Sequence, residues 1–206
     1  MSQGVFSSSF AGDVSDAASF INVAATCSST RSLGPGIRSG VWVQGCVFQC
    51  PGCIAPDWIP LRPARFVSPE DLALELLRDP LVTGLTFSGG EPMLQAAGLA
   101  RLARVARAQR ELSIICFTGF QKAALELNPP GPGVFDLLEQ VDALIDGPYI
   151  DRLKEQHGLR GSTNQKIHYL TGRLKDAGLE TLPRRSEARA PDWPPQARWL
   201  RGSAPQ

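Results

Sequence analysis

Residues 40–58 read GVWVQGCVFQCPGCIAPDW, and how this stretch is read decides how the rest of the chain is read. The run VWVQG is rich in residues that favour a pleated strand. It feeds a loop with three cysteines, Cys46, Cys50 and Cys53, in the spacing C-x3-C-x2-C. Structural zinc takes four nitrogen or sulfur ligands, and ferredoxin-type clusters take four thiolates. The loop is one ligand short of either. Two readings stay open on these residues. One is a cubane iron–sulfur cluster with one iron lacking a protein ligand; the other is a zinc site completed from afar by Cys27, Cys116, His157 or His168. A free coordination position is what a metal site keeps when it acts on a small molecule. Gly45, Pro51 and Gly52 suit a loop folded tightly around a metal core.

A second signal lies downstream in LTFSGGEP, residues 85–92. A strand runs into Gly89 and Gly90, and Glu91 and Pro92 then open a helix. The plain reading is a strand-to-helix turn. The functional reading is that glycines at a strand's C-terminal end let a ligand approach the backbone, with the Glu91 carboxylate ready for an ammonium group. On that reading a side chain at position 90 should exclude a ligand and spare the cysteine loop.

Around these motifs the chain alternates between strand and helix patterns. Strands are expected at 20–26, 41–45, 84–90, 112–119, 143–147 and 166–170. Helices are expected at 68–79, where Ser68, Pro69 and Asp71 form an N-terminal signature, and at 93–110, 121–127 and 134–140. Such alternation predicts parallel pairing through right-handed crossovers. Five or six strands are too few for a closed eight-fold barrel, so an open, curved α/β sheet is expected. Its ligand site should lie beyond the C-terminal ends of the strands. Residues 1–18 read as a flexible arm, 19–182 as the one domain, and 183–206, rich in Pro and Arg, as a disordered tail.

Composition narrows the function classes. A net charge of +1 gives no electrostatic case for a nucleic-acid or membrane surface, and no apolar run reaches the length of a membrane span. Five cysteines, three of them clustered, point to metal chemistry in a reducing, cytoplasmic setting and not to a disulfide framework.

Four segments carry a closer resemblance: GPGIRSGVWVQGCVFQCPGC, LTFSGGEP, FTGF, and DALIDGPYIDRLKEQHGLRGSTNQKIHYL. Together they resemble the radical S-adenosylmethionine (SAM) superfamily and, more narrowly, the activating enzymes of anaerobic ribonucleotide reductase, a branch of the glycyl-radical-enzyme activases. The resemblance implies a partial (β/α) barrel and a [4Fe–4S] cluster on Cys46, Cys50 and Cys53. SAM would occupy the fourth iron and meet Gly52, Cys53, Ile54, Gly89, Gly90 and Glu91. The implied chemistry is reductive cleavage of SAM to a 5′-deoxyadenosyl radical that takes hydrogen from a glycine of a partner enzyme. An electron donor such as flavodoxin or ferredoxin is implied as well, and no side-chain acid, base or nucleophile is required. A radical SAM enzyme acting on a peptide or small metabolite is the alternative, and a non-enzymatic iron–sulfur or zinc module stands further off. Gly52 occupies a position that is aromatic in many radical SAM proteins but is tolerated as Gly in the activase branch, which supports the narrower resemblance, whereas the segment after Cys53, IAPDW, departs from the Tyr-Asn of the activases.

Other residues read more plainly. Cys27 and Cys116 look like small buried hydrophobes. Trp42, Trp58 and Phe48 read as core beside the cysteine loop. Arg101, Arg104, Arg107 and Arg110 form a solvated helical face. Asp146 is expected near the ligand. The segment from Asp146 to Gln165 is expected to meet the substrate or partner through Arg160, Ser162, Asn164 and Gln165, or else to cap itself and hold the last strand.

Overall fold

The computed structural model describes residues 20–183. The arm expected at 1–18 and all but the first residue of the tail expected at 183–206 lie outside the described residues. Seven strands form one open sheet: β1 (Ile21–Thr30), β2 (Arg38–Val43), β3 (Arg65–Val67), β4 (Gly84–Gly89), β5 (Ser113–Phe117), β6 (Ala143–Asp146) and β7 (Lys166–Tyr169). Their order across the sheet is β3-β1-β2-β4-β5-β6-β7.

The four central strands β2, β4, β5 and β6 are parallel, as the alternating pattern predicts. The flanks correct that expectation. β1 is antiparallel to β2 and β3, and β7 is antiparallel to β6. The link from β1 to β2 is too short for a crossover and can only turn the chain back. β3 is a three-residue edge strand with mostly exposed side chains, so it offers no period to read.

Helices α1 (Pro69–Leu76), α2 (Ala96–Gln109), α3 (Lys122–Leu127) and α4 (Val134–Gln140) supply the connections. Ser68 caps α1 as expected, accepting from the Asp71 amide at 3.1 Å and donating to its carboxylate at 2.7 Å. The register aligns Val41, Phe87, Cys116 and Leu144 across the sheet. These face the helices and join Leu72, Leu76, Leu99, Leu102 and Leu137 in the main core. Residues of the opposite parity, Ile115, Ala143 and Ile145, form a smaller core with Leu174 and Leu179. The period of two thus gives the sheet one face for helices and one for the cavity described below.

Arg101 and Arg104 stay on a solvated face, as expected, yet every arginine of the stripe is paired. Arg101 reaches Glu70 of α1 at 2.8 Å, Arg104 reaches Asp136 of α4 at 3.0 Å, and Arg107 reaches the fully buried Asp142 at 2.6 Å. Arg110 donates to the carbonyls of Leu77 and Asp79 at the end of α1. At the N-terminal edge of the sheet, Arg38 is completely buried and spans three strands. It donates to Thr86 Oγ1 and Ser113 Oγ, each at 2.8 Å, and to the carbonyls of Leu85 and Ser113. Burial without a directly bonded carboxylate pulls its pKa down to about 9.

Candidate functional site

The cysteine loop, the glycine pair and the end of β5 open on one cavity of about 750 Å³ at the C-terminal ends of the parallel strands. Cys46, Cys50 and Cys53 all line it, as do Ile54, Gly89, Gly90 and Glu91. The loop is anchored at its base: Gly45 N donates to Trp58 O at 2.8 Å and Cys46 N to Ile59 O at 2.9 Å. Phe48 meets Phe120 edge-on at 4.9 Å, and Trp42 meets Trp58 at 5.9 Å. The aromatics thus wall the loop, and Trp42 and Phe48 also face the cavity.

The donor set fits an iron–sulfur cluster. Three half-buried thiols share one loop and one cavity, and the Phe48 amide points at Cys46 Sγ from 3.3 Å. Burial pushes the Cys46 thiol up to about 11, so it holds its proton at neutral pH unless a cation claims the sulfur. The more distant ligands that a zinc site would need do not reach the loop. Cys27 lies on β1, where its thiol meets Ser28 O. Cys116 is fully buried in the helix-side core, and His168 turns to Asp146. His157 does not line the cavity. Among the described residues, no three His, Cys, Asp or Glu side chains gather as ligands for one ion.

The glycine pair has an internal cause that the sequence did not disclose. A Cβ on Gly90 would lie 2.1 Å from Gly45 O, and one on Gly89, where φ is +106°, would lie 2.4 Å from Val43 N. The turn is pressed against the base of the cysteine loop, and two amides hold it there: Gly90 N to Val43 O at 2.7 Å and Glu91 N to Gly45 O at 2.8 Å. A side chain at 90 therefore displaces the cysteine loop itself. This geometry stands against the expectation that such a substitution spares it.

Glu91 is almost wholly buried, and its carboxylate bridges two strand ends. Oε1 accepts from Met93 N at 2.9 Å and from Thr118 Oγ1 at 2.7 Å, and Oε2 accepts from Gly119 N at 2.7 Å. Burial pushes it up to about 7 against the pull of these three bonds. Thr118 and Gly119 sit in the FTGF motif at the end of β5, and both line the cavity. Their motif is legible in the residues, but their role is not. Only the fold reveals that Glu91 holds them.

Gly52, Asp146, Arg160 and Asn164 do not line the cavity. Strand parity explains Asp146, since it shares the helix-side face with Leu144. Its Oδ2 accepts from Lys122 N at 2.6 Å and lies 2.9 Å from His168 Nε2, off hydrogen-bond alignment. Arg160 pairs with Glu155 at 2.8 Å, and Asn164 donates to Pro148 O at 2.8 Å. Ser162 accepts from Ile150 N at 3.1 Å, and Gln165 braces the segment through Gly161 N and Gly147 O, both at 2.7 Å. Gln165 itself lines the cavity, and the segment also reaches it through Gly147, Tyr149, Lys154, Gly158, Leu159 and Gly161.

Comparison with known proteins agrees with this geometry. A family model described as a 4Fe–4S single cluster domain matches residues 32–168. The anaerobic ribonucleoside-triphosphate reductase-activating protein of Vibrio cholerae serotype O1 is 36% identical over 147 residues, 67% of this chain and 91% of its own. The protein of the same name from Escherichia coli K12 is 33% identical over 145 residues, 66% of this chain and 91% of its own. The pyruvate formate-lyase-activating enzyme of Clostridium pasteurianum is 37% identical over 81 residues, 37% of this chain and 34% of its own. The chain belongs to the 4Fe–4S single cluster domain family and to the family of the anaerobic ribonucleoside-triphosphate reductase-activating proteins. Among the described residues no helix is long and apolar enough to cross a membrane.

Proposed function

We propose that Cys46, Cys50 and Cys53 hold a [4Fe–4S] cluster and that SAM binds beside it, against Cys53, Ile54 and the Gly89–Glu91 turn. The partner would be a glycyl-radical enzyme of the anaerobic ribonucleoside-triphosphate reductase type. The observation that carries this reading is the meeting of the three thiols with Gly89, Gly90 and Glu91 on one cavity. The open seven-stranded sheet is read as the partial barrel of the radical SAM type, with the cavity on the face turned away from α1–α4. When bound, the reduced cluster and SAM supply the one-electron cleavage of a carbon–sulfur bond to methionine and a 5′-deoxyadenosyl radical. The chain's own residues bind, orient and keep out water. The thiolates hold iron, and Trp42, Phe48 and Phe117 line the cavity with apolar surface. Glu91 fixes the Thr118–Gly119 turn and offers its remaining acceptor capacity to the SAM ammonium group. The segment 147–165 forms the wall that a partner's glycine-bearing loop would meet, and a flavodoxin- or ferredoxin-type protein would provide the electron.

Anaerobic reconstitution tests the proposal. The expected result is about four irons and four sulfides per chain, the content of one such cluster, with SAM-dependent 5′-deoxyadenosine release under reduction. A glycine-centred radical, seen by electron paramagnetic resonance, should then appear on a co-purified glycyl-radical enzyme. Deoxyadenosine without that radical would move the assignment to a peptide or small-metabolite substrate, and absence of iron would overturn it.

A further inference from the structure

The anchoring of the cysteine loop is uneven. Its base is tied to Trp58, Ile59 and Glu91. Among the described residues, the backbone of Cys50–Ile54 makes one hydrogen bond, Cys53 N to Cys50 O at 3.1 Å, and that bond lies inside the loop. Yet this tip carries two of the three thiols and a left-handed residue, Gly52, with φ +74°. Something outside the loop must hold it in one geometry, because a tip with so little internal bonding exchanges among conformations at small cost.

The space beside Gly52 is already filled. A Cβ on Gly52 would lie 2.9 Å from both Cγ and Oδ1 of Asp151 and 3.1 Å from its Cβ. Asp151 is itself held by Tyr149, whose hydroxyl donates to Oδ1 at 2.7 Å. The Tyr149 ring in turn packs on Gly161, where a Cβ would approach Cδ2 to 3.1 Å. A chain of contacts thus runs from Gly161 through Tyr149 and Asp151 to the tip of the cysteine loop.

We infer that Tyr149 and Asp151 are a positioning pair for the cysteine loop. The Asp151 carboxylate takes the place that a side chain at position 52 would fill and presses the tip into its cluster-holding shape. The Tyr149 hydroxyl fixes the carboxylate's rotamer. The pair also places one negative charge beside the loop and links the loop to the segment 147–165. This deepens the proposed function and rests on it for the meaning of the loop, but the contacts themselves belong to the chain without any cofactor.

The first measurement therefore uses the metal-free protein. Hydrogen exchange at the Cys53 amide, the one hydrogen-bonded N–H of 50–54, should speed up roughly 5- to 10-fold in Asp151→Ala, the factor that the free energy of one net hydrogen bond converts to, with β4 and β5 unchanged. Tyr149→Phe should give a smaller acceleration at the same amide, and Asp151→Asn, which keeps the shape and can still accept from the phenol, should restore the slow rate. After reconstitution, Asp151→Asn should raise the cluster's midpoint potential, because losing a nearby negative charge favours the reduced, more negative form. A merely structural surface contact would not move the potential while leaving the loop's exchange slow. Unchanged exchange in both Asp151→Ala and Tyr149→Phe would overturn the positioning pair. If Asp151→Ala loses core protection as well, Tyr149→Phe decides alone, and no change in it overturns the inference. Failure of the wild-type chain to bind iron would overturn the proposed function but leave the metal-free comparison standing.

Discussion

At the N-terminal ends of β2, β4 and β5, the Arg38 guanidinium is sealed from water and spends its donors on neutral oxygens of β4 and β5. At the C-terminal ends of the same strands, thiols, glycines and a buried carboxylate face a cavity, and the loop they sit on is held mainly at its base. Both ends carry polar chemistry, but one satisfies it internally and the other leaves capacity for something that binds. The difference teaches where stability and function are separable in this chain. Changes at the Arg38 end should cost stability without touching the site's chemistry, and changes at the cysteine end should do the reverse wherever the side chain is not also a spacer.

Gly90→Val breaks that division, because position 90 is both turn and spacer. With Gly45 O only 2.1 Å from the new Cβ, the substitution should cost at least about 3 kcal/mol, the range of serious overpacking. It should also remove iron from the reconstituted protein. Denaturant titration and iron analysis check both, and retention of a full iron complement would show that the loop can move aside.

Arg38→Leu sharpens the comparison from the other end. It leaves Thr86, Ser113 and two strand carbonyls without their donor, and each unsatisfied buried group costs about 1–3 kcal/mol. A loss of roughly 3–4 kcal/mol is expected, moderated by the apolar replacement. Surviving folded protein should still take up iron in anaerobic reconstitution.

Glu91→Gln should be milder and depend on pH. The amide's NH2 would face the Gly119 N–H in place of Oε2, a mismatch worth about 1–3 kcal/mol. In the native chain Glu91 is raised to about 7 from an ordinary value of 4.5. The folded state therefore holds the proton more tightly than the unfolded chain. The stability this confers is complete below pH 4.5 and is lost as pH rises through about 7. The glutamine variant lacks that slope, so its deficit against the native protein should be larger at pH 5 than at pH 8 in urea titrations. A constant deficit would show that Glu91 ionises normally.

Cys50→Ala should have the smallest effect on stability, within about 0.5 kcal/mol as for surface changes, while abolishing cluster binding. Cys116→Ala should do the opposite, keeping the iron and costing about 1 kcal/mol or more through the void left in the helix-side core. Melting curves paired with the visible absorption of the reconstituted proteins separate the two. Equal iron loss in both would defeat the three-ligand assignment.

Much of this molecule was legible in its residues. The cysteine spacing, the capped start of α1, the strand leading to SGGEP and the parallel core of the sheet all arise from local patterns, because helix and strand periods and turn chemistry act over a few residues. The antiparallel flanks were not legible, since pairing direction depends on how far a connection must travel and not on the strand's own composition. The residues put Asp146 at the correct end of its strand, but parity turns its side chain to the helix-covered face and away from the cavity. The glycines of SGGEP suggest room for a ligand, and the fold adds that Gly45 needs the same room. By itself the sequence determined that three thiols share one loop and that a glycine pair and a carboxylate end one strand. Only the tertiary structure decided that these meet on one cavity, that Arg38 closes the opposite end, and that Glu91, Tyr149 and Asp151 hold parts of the site in place, because each of those contacts joins residues that become neighbours only when strands and loops distant in sequence are packed against one another.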